Sequence, residues 1–157
     1  MARTGGENVA RALLFDRLSD AEPREPREAR PFRTYSRAEL LESVRREVTQ
    51  LFNTRCPIPA PELERRERSI IDYGIPDLSY YSPGNDDSEQ ALRRMLRNTL
   101  AVFEPRIADP EVTIEHFVGR HQRMLVQVHG ALIMGSIREP ISFSVAIEAQ
   151  GDRIGTA

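Results

Sequence analysis

Three histidines, one cysteine and 24 carboxylates are the side chains of this 157-residue chain most able to do chemistry. A zinc site needs three or four His, Cys or carboxylate ligands converging on one point. His116 and His129 fall in segments whose alternation reads as strand, and His121 falls in the loop between them. On the hairpin this implies, His116 stands opposite a residue near Leu125, not His129, and no second cysteine joins Cys56. Ordinary strand histidines are the reading that remains. Cys56 lies beside Pro57 in a loop with no histidine nearby, and the chain carries neither a Gly-x-Ser-x-Gly elbow nor a phosphate-binding glycine loop. A glycosidase would use two carboxylates about 5–10 Å apart across a sugar cleft. Nothing marks such a cleft, aromatic residues make up only 6 %, and there is no tryptophan to stack on a sugar. The sequence therefore predicts no catalytic residue, no metal site and no cofactor.

One acid–base constellation is left, Glu104-Pro105-Arg106. It closes an amphipathic helix whose face of Leu92, Met95, Leu96, Thr99, Leu100 and Phe103 recurs at helical spacing, with Arg93, Arg94, Arg97 and Asn98 opposite. Asp87 with Gln90 predicts the start as a capping box. Pro105 has no N–H and restricts the residue before it, so the helix should stop near Phe103 or Glu104. A glutamate there faces the negative end of the helix dipole, and Arg106 could offset it. Two readings stand: a solvated ion pair worth ~0–1 kcal/mol, or a contact site whose geometry the proline presets. The tripeptide also occurs at Glu22-Pro23-Arg24 and Glu25-Pro26-Arg27 in a linker context, so it does not decide between them.

The elements that would position this constellation follow in order. Val9 to Leu18 reads as a short amphipathic helix, and Ser19 to Tyr35 as a linker made extended by Pro23, Pro26 and Pro31. Ser36 and Glu39 form a capping box for a helix with the stripe Leu40, Leu41, Val44, Val48, Leu51 and Phe52, stopping at Asn53. Glu62 to Arg68 is a helical turn or an exposed strand, and Ile70-Ile71 a short β candidate. Gly74 and Pro76 mark a fixed turn. After Arg106 the period becomes two. Strands run over Val112–Val118, Met124–Met134 (with Gly130 as a bulge or bend) and from Pro140 through Ile141, Phe143, Val145 and Ile147, with a hairpin loop at Gly119 to Gln122. The expected fold is α+β: two main amphipathic helices packed on a three-stranded antiparallel meander. The expected divisions are residues 1–35, a folded unit over 36–149, and a fraying tail over 150–157. A small sheet of this kind has an open edge, which can accept a strand from another chain.

Net charge is −2, which argues against a general nucleic-acid binder. All 22 basic residues are arginine, a side chain suited to planar contacts with carboxylates at interfaces. No apolar run nears the ~20 residues that span a bilayer, so no direct membrane insertion is expected. No signal-peptide pattern opens the chain, and a lone cysteine fits a reducing cytoplasm.

Four pieces together carry a resemblance. Asn53-Thr54-Arg55 ends the first long helix, Ser69-Ile70-Ile71-Asp72-Tyr73-Gly74-Ile75-Pro76-Asp77-Leu78 forms the middle turn, Glu104-Pro105-Arg106 ends the second helix, and alternating strands follow. With the opening Leu14-Phe15-Asp16-Arg17-Leu18, this order resembles the TssE family of type VI secretion baseplate subunits, itself similar to the "lysozyme-like" wedge proteins of contractile phage tails. The resemblance implies a structural wedge component at the cytoplasmic face of the inner membrane, with TssF, TssG and TssK as wedge partners and the sheath subunits TssB and TssC docking on the sheet. It implies a partner-binding site at Glu104, Pro105 and Arg106, with Asn53, Arg55, Tyr73, Gly74, Pro76 and Asp77 as further contact residues. The rival readings are a peptidoglycan hydrolase, suggested by the family's older label, and a regulatory anti-adaptor, which uses the same fold.

Overall fold

Ser36 opens the first long helix for the reason its spacing to Glu39 suggests. In the computed structural model, which describes residues 10–11, 34–79, 81, 85–118 and 123–148, the Ser36 hydroxyl accepts from the Glu39 N–H and the Glu39 carboxylate accepts from the Ser36 N–H at 2.8 Å. Two donors that a helix start leaves open are thereby satisfied. Just before it, a two-residue strand β1 (Ala10–Arg11) pairs antiparallel with β2 (Thr34–Tyr35). Ala10 and Arg11 are thus strand, not the expected helix, since a helix so short is marginal and pairing with a distant segment supplies its bonds instead. The rest of that expected helix and of the proline linker lies outside the described residues.

Helix α1 (Arg37–Asn53) buries Leu40, Val44, Val48, Leu51 and Phe52 of the expected stripe, with Leu41 partly buried against the same core, together with Ser43. A short helix α2 (Ala60–Leu63) settles the start of the charged stretch as helical. Ile70–Asp72 is a 3₁₀ turn, where a β candidate was expected. The Asp72 carboxylate accepts the Ser69 N–H at 2.8 Å, which closes the turn locally. Helix α3 (Asp86–Phe103) starts two residues earlier than expected at its cap, because Asn85 accepts from the Ser88 N–H at 3.1 Å. Asp86, Asp87 and Glu89 then fall in the first turn, where the dipole favours anions. Its end at Phe103 is where Pro105 places it.

The sheet is the expected meander, in the order β3 (Ile107–Val118), β4 (Arg123–Met134), β5 (Ile137–Ile147), with both pairings antiparallel. The chain therefore has the α+β architecture of two main helices against three strands. Three details differ from expectation. β3 begins at Ile107, directly after Arg106, instead of at Val112. β5 begins at Ile137, so Pro140 lies inside it, opposite Ala131. That is tolerated because β5 is an edge strand: the Ala146 carbonyl points away from β4, to Asn53, and residues of the same parity, Pro140 included, turn their backbone groups to that open side. Finally, the bulge expected at Gly130 is on the opposing strand. Register slips between Ala108 and Glu111, and again around His116. Gly130 is the residue that lets β3 close in: a Cβ there would lie 2.5 Å from Ile107 Cγ2 and 3.0 Å from the Ala108 carbonyl oxygen. The hairpin loop at Gly119 to Gln122 lies outside the described residues.

One core joins these parts. Leu92, Leu96 and Leu100 of α3 and the α1 stripe pack with Ile107, Val126, Val128, Leu132, Val145 and Ile147 of the sheet. Helix α1 is also fastened to β5 at both ends. Arg37 pairs with Glu139 at 2.6 Å, and Asn53 bonds to the backbone at Ala146 and Glu148. The ~25 Å rise of a 17-residue helix matches the strand length between those points. No helix among the described residues is long and apolar enough to cross a membrane.

Candidate functional site

Glu104, Pro105 and Arg106 are the corner at which α3 is turned into β3. The Glu104 N–H donates to the Leu100 carbonyl at 2.8 Å, its own carbonyl accepts from the Ile107 N–H at 3.1 Å, and the Arg106 carbonyl accepts from Ile133 of β4 at 2.8 Å. Pro105, exposed at the second position of this turn, presets φ and has no N–H to leave unpaired. The side chains form a forked ion pair: Arg106 Nε donates to Glu104 Oε1 at 2.6 Å and Nη2 to Oε2 at 2.5 Å. Arg106 Nη1 continues to the Ser43 hydroxyl on α1 at 3.1 Å.

Glu104 is only 3 % exposed. The solvated ion pair is therefore not what forms here. The carboxylate is enclosed, and burial makes its partner obligatory, because an enclosed charge without one is strongly destabilising. The pair clasps the end of α3 to α1 and fixes the outward face of the corner. That face lines a cleft of about 170 Å³ with Glu47, Leu51, Tyr73 and Phe103. The Tyr73 ring meets Phe103 edge-on, with centroids 5.4 Å apart. Burial, with the charges of Glu47 and Glu104, pushes the Tyr73 hydroxyl above its ordinary pKa, so it stays a neutral donor and acceptor.

The other expected contact residues separate into supporting roles. Gly74 has φ +107°, and a Cβ on it would fall 2.4 Å from the Thr54 carbonyl oxygen. This close approach permits the bridge in which Ile75 N–H donates to Thr54 and Cys56 N–H to Ile75, each at 2.9 Å. Arg55 Nη1 donates to the Pro76 carbonyl at 3.0 Å across the same bridge. Asp77 is exposed and caps its own turn by accepting from the Ser79 N–H, which holds its carboxyl below the usual range. Asn53 acts as a strand substitute. Its Nδ2 donates to the Ala146 carbonyl at 3.0 Å and its Oδ1 accepts the Glu148 N–H at 2.9 Å, within an open groove between α1 and β5. So Tyr73 joins the tripeptide at the cleft, Arg55, Gly74 and Pro76 build the loop behind it, and Asn53 belongs to the sheet margin.

Three functional supports escaped the sequence reading. Ser43 is a polar residue on the buried stripe, a mismatch that could have flagged it. Asp72 is buried and accepts from Ser69, and the Ser69-x-x-Asp72 spacing held that signal. It also pairs with Arg66, and its carboxyl sits below the ordinary range, chiefly because of the Ser69 N–H bond. Arg68 carried no signal at all. Its Nη2 donates to the Asp72 and Gly74 carbonyls at 2.8 and 2.7 Å, Nη1 donates to Thr99 of α3 at 2.6 Å, and its guanidinium lies 4.8 Å over the Phe103 ring. Burial lowers its pKa, with nearby negative charge opposing the shift.

The same corner, loop and strands are the part of the chain that comparison with known proteins picks out. Residues 38–136 match one family, baseplate wedge protein gp25. The chain belongs to the gp25 baseplate wedge family. The match runs from α1 through β4 and contains the whole cleft, and it is to the wedge family that the sequence resemblance pointed. Among solved structures, a chain of the baseplate complex from the type VI secretion system aligns with TM-score 0.50 and 19 % identity, over 71 % of this chain and 96 % of its own. A structure described as a tail lysozyme from Geobacter sulfurreducens aligns with TM-score 0.42 and 14 % identity, over 75 % and 96 %. At such identities the first likeness is one of fold, and the second supports nothing further. No curated protein matches the chain. Among the described residues no three His, Cys, Asp or Glu side chains gather as metal ligands would.

Proposed function

We propose that the chain is a non-catalytic component of a type VI secretion baseplate, joining the wedge to the first sheath ring and seeding sheath polymerisation. Wedge subunits of the TssF, TssG and TssK kinds take the Glu104–Arg106 cleft, and sheath subunits of the TssB and TssC kinds dock on the sheet margin, at the cytoplasmic face of the inner membrane. The observation that carries this reading is the enclosed ion pair at the cleft in a gp25-family chain. It spends both charges on geometry, so what the corner offers outward is a rigid, shaped surface. The reacting pair of a hydrolase would need a free carboxylate there. Arg55, Gly74 and Pro76 serve this site by holding Tyr73 in place.

The experiment is co-purification with the wedge subunits. Substituting Glu104 or Arg106 confounds binding with folding, because the pair holds the fold. Pro105→Asp changes an exposed side chain at a turn position aspartate can occupy. The protein should keep its circular dichroism, melt somewhat below wild type because the preset φ is lost, and lose the wedge. Retention of wedge binding would remove the cleft from the interface. A zymogram on peptidoglycan completes the test: lysis abolished by changing one carboxylate would make the chain an enzyme.

A further inference from the structure

The two edges of the sheet are not alike. β3 is blunted as an edge: Asp109 sits at φ +50°, Pro110 has no N–H, and the register slips at two places along the strand. Such irregularities discourage a further strand. β5 instead pairs with β4 without a slip from Ile137 to Ile147. On its other side the Ala146 carbonyl and the Glu148 N–H meet Asn53. Backbone groups alternate along a strand, so those of Ser142 and Ser144 point to that side as well. Among the described residues no backbone group pairs with them there.

The Asn53 amide shows what fits this margin. Its Nδ2 donates to Ala146 and its Oδ1 accepts from Glu148, the residues on either side of Ile147. One residue of a parallel neighbour makes this pair of bonds, whereas an antiparallel neighbour exchanges both bonds with a single residue. Asn53 thus supplies one parallel rung, opposite Ile147. The same rung stands open opposite Val145, between the Ser144 carbonyl and the Ala146 N–H. It is open again opposite Phe143, between Ser142 and Ser144, and opposite Ile141, between the Pro140 carbonyl and the Ser142 N–H. Pro140 has no N–H of its own, so the ladder ends there on one side and at Asn53 on the other. Space for a neighbour is present: a groove of about 730 Å³ lies between this margin and the Arg45, Arg46, Thr49 and Gln50 flank of α1.

We propose that a partner strand joins β5 in parallel along Pro140 to Ala146, and that Asn53 is its register stop. The occupant is an extended peptide segment supplied by a sheath subunit. This rests on the sheath reading above and deepens it, by assigning the edge, the direction and the residue that sets where the ladder ends. The main-chain rungs supply the affinity. The Asn53 amide already fills the last rung, so a strand out of register either collides with it or leaves a rung unmade.

The test measures the affinity of the full chain for purified TssB–TssC. Ser144→Pro removes an N–H that faces away from β4, in a strand that already holds Pro140 turned the same way. Binding should fall about 10-fold or more. Ser144→Thr keeps the N–H and should bind as wild type does. Direction is read with the photo-crosslinker p-benzoylphenylalanine placed at Ser142 or at Ala146, both exposed. The sheath residue captured from position 146 should lie C-terminal to the one captured from position 142. In Asn53→Ala, capture from position 146 should spread over several sheath residues; capture that stays at one residue overturns the register stop. Wild-type affinity in a folded Ser144→Pro, the reverse order of capture, or capture only from photoprobes at Thr113 and Glu115 of β3 overturns the proposed edge and direction and leaves sheath docking standing. The photoprobes decide the matter even where Ser144→Pro folds poorly. A wild-type chain that binds no sheath subunit overturns both readings.

Discussion

Removing Arg106 should be among the most damaging single changes to this fold, and its size follows from the geometry. Glu104 and Arg106 have side chains 4 % and 18 % exposed and share two charge-assisted bonds at 2.5 and 2.6 Å. In Arg106→Ala the carboxylate stays enclosed, with only the residue-106 N–H at 3.4 Å as a nearby donor. Breaking a buried pair from one side costs about 3–5 kcal/mol. The partial exposure of Arg106 admits some solvent screening, so about 3 kcal/mol is expected. Glu104→Gln keeps the shape and one acceptor and leaves the guanidinium its route to water, so the cost should be about 1–2 kcal/mol. Ser43→Ala removes one bond to a charged group, about 1 kcal/mol. With no tryptophan in the chain, urea titrations followed by far-ultraviolet circular dichroism at constant m are the assay. A double-mutant cycle with Glu104→Gln plus Arg106→Ala should return about 2 kcal/mol of coupling. Single costs below about 1 kcal/mol that simply add would show a solvated surface pair and refute the clasp.

Three further outcomes are expected. Gly74→Ala should cost at least about 2 kcal/mol, from a positive φ plus the collision with Thr54, whereas Gly135→Asn, at φ +60° with nothing near its Cβ, should be nearly neutral in the same titrations. Equal costs would mean that the Thr54 approach is unimportant. Because the Asp72 pKa is depressed in the fold, its stabilisation is complete above the unfolded value of roughly 3.9 and is lost as pH falls through the lower folded value. Thermal melts of Asp72→Asn should accordingly show a shallower loss of stability below about pH 4 than wild type, and parallel curves would assign the acid sensitivity elsewhere. Asn53→Ala should speed amide exchange at Glu148, while Asn53→Asp, which keeps the acceptor, should preserve that protection; identical exchange in both variants would dismiss the strand-substitute role.

The elements whose hydrogen bonds and burial are satisfied locally were legible from the residues alone. The Ser36–Glu39 box, the α1 stripe, the stop before Pro105 and the alternation of Ile141, Phe143, Val145 and Ile147 each state their geometry within a few positions of chain. Periodicity also gave the layer architecture, since faces repeating every 3.6 and every two residues must bury against one another. The order of Asn53-Thr54-Arg55, the middle turn and Glu104-Pro105-Arg106 pointed to the wedge family.

Whether Glu104 met water or was enclosed with Arg106 was beyond local pattern, because the answer depends on packing against another helix, whose Ser43 meets Arg106 from 63 positions away. The same holds for Gly130, whose missing side chain is explained by a bulge on the strand beside it, and for Asn53, whose amide completes a strand margin 93 positions away. Ile70 and Ile71 read as strand because their side chains favour it, yet Asp72 and two arginines hold them in a turn facing solvent. Sequence fixes what each segment can bury and cap by itself. Only the folded arrangement decides which charges lose their water, and that loss turns a common tripeptide into a clasp.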